Sequence, residues 1–128
     1  MIRHLTFTAA GTHAPADAAR ADTVGDEASG PVLEIVSFRL LEGSDEAAFL
    51  DAARGTEALL RERGSLVRRV LVRDAGGLWT DMVEWTSMEA ALAAAETVVT
   101  HPDFAPFGAM IDPGTVDMRH APVRWRMD

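Results

Sequence analysis

Five side-chain types are missing from the 128 residues: there is no Cys, Lys, Tyr, Asn or Gln. The lack of Cys excludes a thiolate nucleophile, a thiolate metal site and any disulfide, and the lack of Lys excludes a Schiff base and a phosphate-loop lysine. No apolar run approaches the ~20 residues that span a bilayer. The opening stretch, MIRHLTFTAAGTHAPAD, has no basic segment followed by an apolar core, so a cytoplasmic protein is expected. A net charge of −8 disfavours phosphate contacts and counterion release, which argues against nucleic acid or an anionic membrane as partner. Every basic side chain is Arg and Ala is abundant, a bias that a high-GC genome produces as readily as selection does. The missing groups stay missing whatever the cause. The inventory that remains, His, Asp, Glu, Arg, Ser, Thr and Trp, suits acid–base work or apolar ligand binding.

The length fits one domain, able to bury about two-thirds of the surface it exposes when unfolded. Composition changes near Gly30. Residues 9–30 are small, acidic and without apolar periodicity, whereas regular patterning begins after them. The division expected is an N-terminal extension over 1–30, with a possible edge strand at 1–8, and a folded domain over 31–128.

Within that domain, VLEIVSFRLL (32–41) is rich in β-branched and aromatic residues and reads as a first strand, broken by Glu42-Gly43. Ser44 suits an N-cap, and Phe49, Ala52, Ala53, Thr56, Leu59 and Leu60 fall on one helical stripe that Gly64 ends. Residues 65–74 and 78–86 flank Ala75-Gly76-Gly77 and pair as a hairpin. Ser87 caps a second helix with a predicted buried stripe of Ala91, Leu92, Ala95, Val98 and Val99, stopped by Pro102. A short turn of helix through Phe104 and Phe107 leads to TVDMRHAPVRW, the fourth strand.

The order strand, helix, strand, strand, helix, strand is that of an α+β, ferredoxin-like βαββαβ fold, with an antiparallel four-stranded sheet and both helices on one face. Two helices cover only one face of such a sheet, yet strands one and three carry apolar residues on both. A second copy of the same sheet is the simplest cover, so a homodimer packed sheet to sheet is expected.

Among the groups able to move protons, His101 titrates near neutrality and follows the second helix, which makes it a candidate general base or a helix cap. His120 shares a strand face with Val116 and Met118 and is a second acid–base candidate, or else a hydrogen-bonded interface histidine. Asp81 shares a face with Trp79, Val83 and Trp85. Desolvation among them would raise its pKa and suit it to proton transfer; the competing reading is an ion pair with Arg68 or Arg69 across the hairpin. Trp79, Trp85, Phe104 and Phe107 offer walls for a flat ligand or an ordinary core. Neither His-x-x-x-His nor a close carboxylate trio occurs, so no metal site is expected. His4 and His13 fall in the irregular lead-in.

Residues 32–125 resemble the dimeric α/β-barrel superfamily, and most of all its antibiotic biosynthesis monooxygenase-like domains. The resemblance rests on VLEIVSFRLLEG, on the Gly-Gly hairpin followed by LWTDMVEWTS, and on THPDFAPFGAMIDPGTVDMRH. It implies a ligand pocket between helices and sheet, used by relatives for cofactor-free oxidation of aromatic polyketides, for polyketide cyclisation or for haem breakdown. The haem-degrading relatives rely on an Asn, His and Trp set, of which Asn is absent here. MIRHLTFT resembles the opening strand of stress-responsive members of the superfamily.

Taken together, the expectation is a cofactor-independent monooxygenase of secondary metabolism acting on a flat apolar or aromatic small molecule. His101 or Asp81 removes an acidic proton, Arg68 stabilises the enolate, Trp79, Trp85, Phe104 and Phe107 exclude water, and dioxygen reacts with the carbanion without flavin or metal. The same abstraction without oxygen gives a cyclase or isomerase. A dimer that binds a small molecule without turnover, or serves as an accessory, uses the same frame.

Overall fold

A computed structural model of the protein describes residues 30–128. The expected extension and its edge strand at 1–8 therefore lie outside the described residues. Strand β1 spans Val32–Phe38, β2 Leu66–Arg73, β3 Trp79–Trp85 and β4 Asp117–Pro122. They form one sheet in the order β2-β3-β1-β4, with every neighbouring pair antiparallel. The crossovers run through helices α1 (Glu46–Arg54), α2 (Glu57–Arg61), α3 (Met88–Val98) and α4 (Ala105–Gly108). This is the ferredoxin-like order read from the sequence.

The details depart from expectation in three places. The first helix starts one residue later, because Asp45 and not Ser44 is its cap, its carboxylate accepting from the Ala48 N–H at 2.9 Å. That helix is also not continuous. It breaks after Arg54, where Gly55 lowers helix propensity and Thr56 turns its hydroxyl back to donate to the Ala53 carbonyl at 2.6 Å. In α3 the buried stripe is Ala91, Ala94 and Val98, while Leu92 is 48% exposed. The helix is rotated so that alanines let it approach the sheet closely. Ser87 does cap it, accepting from the Ala90 N–H at 3.0 Å. The hairpin turns at Gly77, whose φ of +90° only glycine adopts without strain.

Register decides which side chains face the helices. On β1, Val32, Glu34, Val36 and Phe38 point to the covered face and Leu33, Ile35 and Ser37 to the other, as their alternating burial records. Across from them, Trp85, Val83, Asp81 and Trp79 of β3 and His120 and Met118 of β4 share the covered face. On β2 the pairing slips between Leu66 and Arg68. Leu66 opposes Trp85, yet Arg68 opposes Glu84, so Val67 is an extra residue and every later side chain changes face. Arg69 and Leu71 thereby join the helix side, and Arg68 leaves it.

The core lies between this face and the helices, centred on an aromatic cluster. Phe49 of α1 stacks on Phe107 at 4.9 Å between ring centroids and meets Trp79 edge-on at the same separation. Phe38 and Phe104 each meet Phe107 edge-on. Edge-on and offset contacts match the ring quadrupoles, and each fully buried Phe contributes about 1.5–3 kcal/mol. Trp79 belongs to this packing.

Candidate functional site

Beside the aromatic cluster the covered face is incompletely filled. A small cavity of about 50 Å³, open to solvent on one side, lies between the sheet and the α2, α3 and α4 layer. Phe38, Trp85, Phe104, Phe107, Val98 and Ile111 wall it, and Glu34, Thr56, Arg69 and Asp81 supply its polar groups. Of the four aromatics expected to hold a ligand, Trp85, Phe104 and Phe107 therefore line the space and Trp79 does not.

The polar groups form two pairs. On the β2–β3 side, Arg69 grips Asp81 with two parallel bonds, Nε to Oδ1 at 2.9 Å and Nη2 to Oδ2 at 2.8 Å. Its Nη1 donates to Thr56 Oγ1 at 2.8 Å, and the guanidinium lies 5.3 Å from the Phe107 ring centroid. A planar guanidinium matched to a planar carboxylate is the strongest ion-pair geometry that proteins use. The break between α1 and α2 thus has a purpose in the site, since it sets Thr56 where it can hold Arg69.

On the β1–β4 side, Glu34 and His120 stand opposite each other in register, and His120 Nε2 lies 3.1 Å from Glu34 Oε2. Both side chains are 11% exposed. With Nε2–H as donor, the imidazole fixes the carboxylate at the cavity wall. Trp85 sits diagonally from Glu34 across β3, and diagonal cross-strand neighbours are about 7–8 Å apart. Its indole Nε1–H is buried without a hydrogen-bond partner among the described residues, an arrangement that costs a folded protein about 1–3 kcal/mol.

Several expected roles change on this geometry. Asp81 does not stand alone among aromatics, because the competing reading, an ion pair with Arg69, is the one realised. Arg68 is not in the cavity. The extra Val67 turns it to the opposite face, where its Nε lies 3.4 Å from Glu84. His101 is likewise outside. Its Nδ1 accepts from the Asp103 N–H at 3.0 Å, so it caps the turn Pro102–Phe104 that follows it, and its side chain is 41% exposed. Of the named proton-transfer candidates only His120 is buried beside a carboxylate. Glu34, Thr56 and Arg69 were not among the expected cavity groups. Glu34 carried a usable signal: it shares its parity with Val32, Val36 and Phe38, the more buried side of β1. Among the described residues no three His, Asp or Glu side chains are placed to hold a metal ion.

Solved structures with this architecture were found. A variant of SnoaB, a cofactor-independent oxygenase from Streptomyces nogalater, superposes with a TM-score of 0.59 at 19% identity, over 76% of this chain and 96% of that one. A presumed antibiotic biosynthesis monooxygenase from Bordetella bronchiseptica gives a TM-score of 0.64 at 16% identity, over 75% and 99%. The chain has the antibiotic biosynthesis monooxygenase-like fold. No protein-family model and no curated protein matches the chain itself. The antibiotic biosynthesis monooxygenase-like frame also extends to the hydroxynitrile lyase of Passiflora edulis, with a TM-score of 0.56 at 12% identity over 78% of this chain and 99% of that one. An oxygenase and a lyase on one frame mean that the cavity, and not the fold, decides the reaction. No helix among the described residues is long and apolar enough to cross a membrane.

Proposed function

We propose that the cavity removes a proton from a flat, apolar or aromatic small molecule and that the resulting carbanion reacts directly with dioxygen. The observation that carries this reading is the buried Glu34–His120 pair, whose Glu34 faces a largely apolar, aromatic-walled space. Glu34 takes the proton and His120 positions its carboxylate. Arg69 supplies positive potential for the developing enolate: three bonds hold its guanidinium, which carries five N–H groups, so donors remain. A ligand oxygen that reached Trp85 Nε1–H would also match its unpaired donor. For a methylene substrate the reaction balances as loss of two hydrogens and gain of one oxygen atom as a ketone, the other oxygen leaving as water. SnoaB is a cofactor-independent oxygenase, which supports the oxidative form of the reading.

The test has two arms on a panel of aromatic polyketides. Without oxygen, Glu34 should catalyse exchange of the acidic C–H with solvent deuterium; with oxygen, uptake should match product. Exchange without uptake would make the protein a cyclase or isomerase. Ligand-induced stabilisation with neither would leave a binding module and end the catalytic reading.

A homodimer is part of the same proposal. On the open face of the sheet Val70 and Val72 are 45% and 42% exposed, beside the half-buried Leu33, Ile35 and Met82. Arg126 of the C-terminal tail bonds to Glu84 on that face, while Trp125 and Met127 next to it are exposed. Apolar area of this kind is what a second sheet covers. Val70→Glu with Val72→Glu should convert the dimer to a folded monomer in sedimentation, and a wild-type chain that sediments as a monomer would overturn the assembly.

A further inference from the structure

Another recess lies outside the cavity, at the β2 edge of the sheet. It runs between β2 and the α1–α2 pair and holds about 230 Å³. Leu50, Leu66 and Leu71 form its floor. Its rim carries Arg54, Arg61, Arg68 and Arg69 against a single carboxylate, Glu57. Arg54, Arg61 and Arg69 therefore converge on the helix side of one groove, and Arg68 borders it at the β2 edge, in a protein whose net charge is −8. An acidic molecule concentrates cations in this way only locally, and the local field is what an approaching ligand meets.

The four differ in how firmly they are committed. Arg69 is fixed by Asp81 and Thr56. Arg54 bonds to Asp51 at 2.7 Å, an exposed pair three residues apart on α1, and Arg68 lies 3.4 Å from Glu84. The Arg54 pair is exposed on both sides and held weakly, so its guanidinium can turn to a stronger acceptor, whereas Glu84 is buried and keeps Arg68 committed. The Arg61 side chain makes no hydrogen bond or ion pair with the other described residues. Arg69 and Leu60 also line the inner cavity, so these two side chains are the partition between groove and cavity.

We propose that this groove is a binding site for the anionic group, carboxylate or phosphate, of an amphiphilic small molecule. Arg61 and Arg54 meet the charge, and the leucine floor takes the adjoining apolar part. Guanidinium forks fit planar carboxylate and phosphate oxygens in pairs, and a floor without polar atoms rejects a bare inorganic ion in favour of an organic one. The site is independent of the proton transfer proposed above, because binding in the groove needs no turnover in the cavity.

The experiment titrates the protein calorimetrically with 1-naphthoate, 1-naphthyl phosphate and the neutral 1-naphthamide. At low salt the two anions should bind about tenfold or more tighter than the amide, and the margin should shrink at high salt, as exposed charge does. Comparison of the two anions distinguishes a carboxylate from a phosphate ligand. The double variant Arg54→Ala with Arg61→Ala should remove the anion preference while leaving amide binding and the unfolding temperature unchanged; both positions are exposed, so the fold is not at stake. Equal binding of anion and amide, retention of the preference in the double variant, or no binding of any probe overturns the proposal. So does a change of oligomeric mass in that variant without a change in probe binding, since the groove would then be a contact between protein chains.

Discussion

Two carboxylates face the same cavity from neighbouring strands, and they are held in opposite ways. Asp81 receives two bonds from Arg69, a cation at every accessible pH, and Arg69 is itself tied to Thr56 and stacked near Phe107. Glu34 receives one bond from His120. The first arrangement saturates a carboxylate and fixes it. The second leaves it one free oxygen, Oε1, at the wall of an apolar space. Burial and a charged neighbour are thus not enough to mark a proton acceptor; what distinguishes Glu34 is that its partner bonds to one oxygen and not to both.

The strongest way to break this contrast is to remove Asp81. Asp81→Ala strands a buried guanidinium, which should cost about 3–5 kcal/mol in urea unfolding. The paired replacement Asp81→Leu with Arg69→Met should cost distinctly less than Asp81→Leu alone, because no charge is left unmatched. If Asp81→Ala unfolds at the wild-type midpoint, the pair is not a structural latch and the base assignment has to be reopened.

Glu34→Gln addresses the other side. It keeps the shape and the contact with His120 but removes the base, so turnover and anaerobic deuterium exchange should fall about 10²-fold or more, while stability stays close to wild type. Loss of stability on the scale of Asp81→Ala, without loss of rate, would make the two carboxylates alike.

How far these two pairs could be seen in the chain itself depends on distance along it. The hairpin turn, the Ser87 cap and the strand order follow from local patterns, and each stands in the structure. Asp81 with a hairpin arginine was within reach for the same reason, twelve residues separating the partners. Choosing Arg69 over Arg68 was not, because one extra residue, Val67, inverts the parity of β2 and nothing in SLVRRVLV announces it. Without that bulge Arg68 would oppose Val83 and face the cavity as expected. The Glu34–His120 pair spans 86 residues and exists only through the register of β1 on β4. His101 misled by its position: a histidine before Pro102 is as well placed to cap the next turn as to overhang the sheet, and local geometry favoured the cap.

A smaller effect sharpens the comparison from the side of Arg69. Thr56→Val removes the hydroxyl that accepts from Arg69 and donates to Ala53, at nearly constant volume, and should cost about 1–2 kcal/mol in the same unfolding assay. If Arg69 owes its place to Asp81 alone, the loss should be the same in the Asp81→Leu, Arg69→Met background, where only the bond to Ala53 is at stake.

The smallest effect comes from a carboxylate with no burial at all. Asp74, in the hairpin turn, accepts from the Leu78 N–H at 2.9 Å, and that bond above all holds its carboxyl below the ordinary value. A carboxyl whose pKa is lower in the folded chain than in the unfolded one stabilises the fold fully above the unfolded value. The contribution is lost as pH falls through the folded value. The difference in melting temperature between wild type and Asp74→Ala should accordingly be small and constant near neutrality, then close in acid. Melting curves across that range check it, and a gap as wide as that of Asp81→Ala would mean that backbone donors alone, without a buried cation, suffice to make a carboxylate structural here.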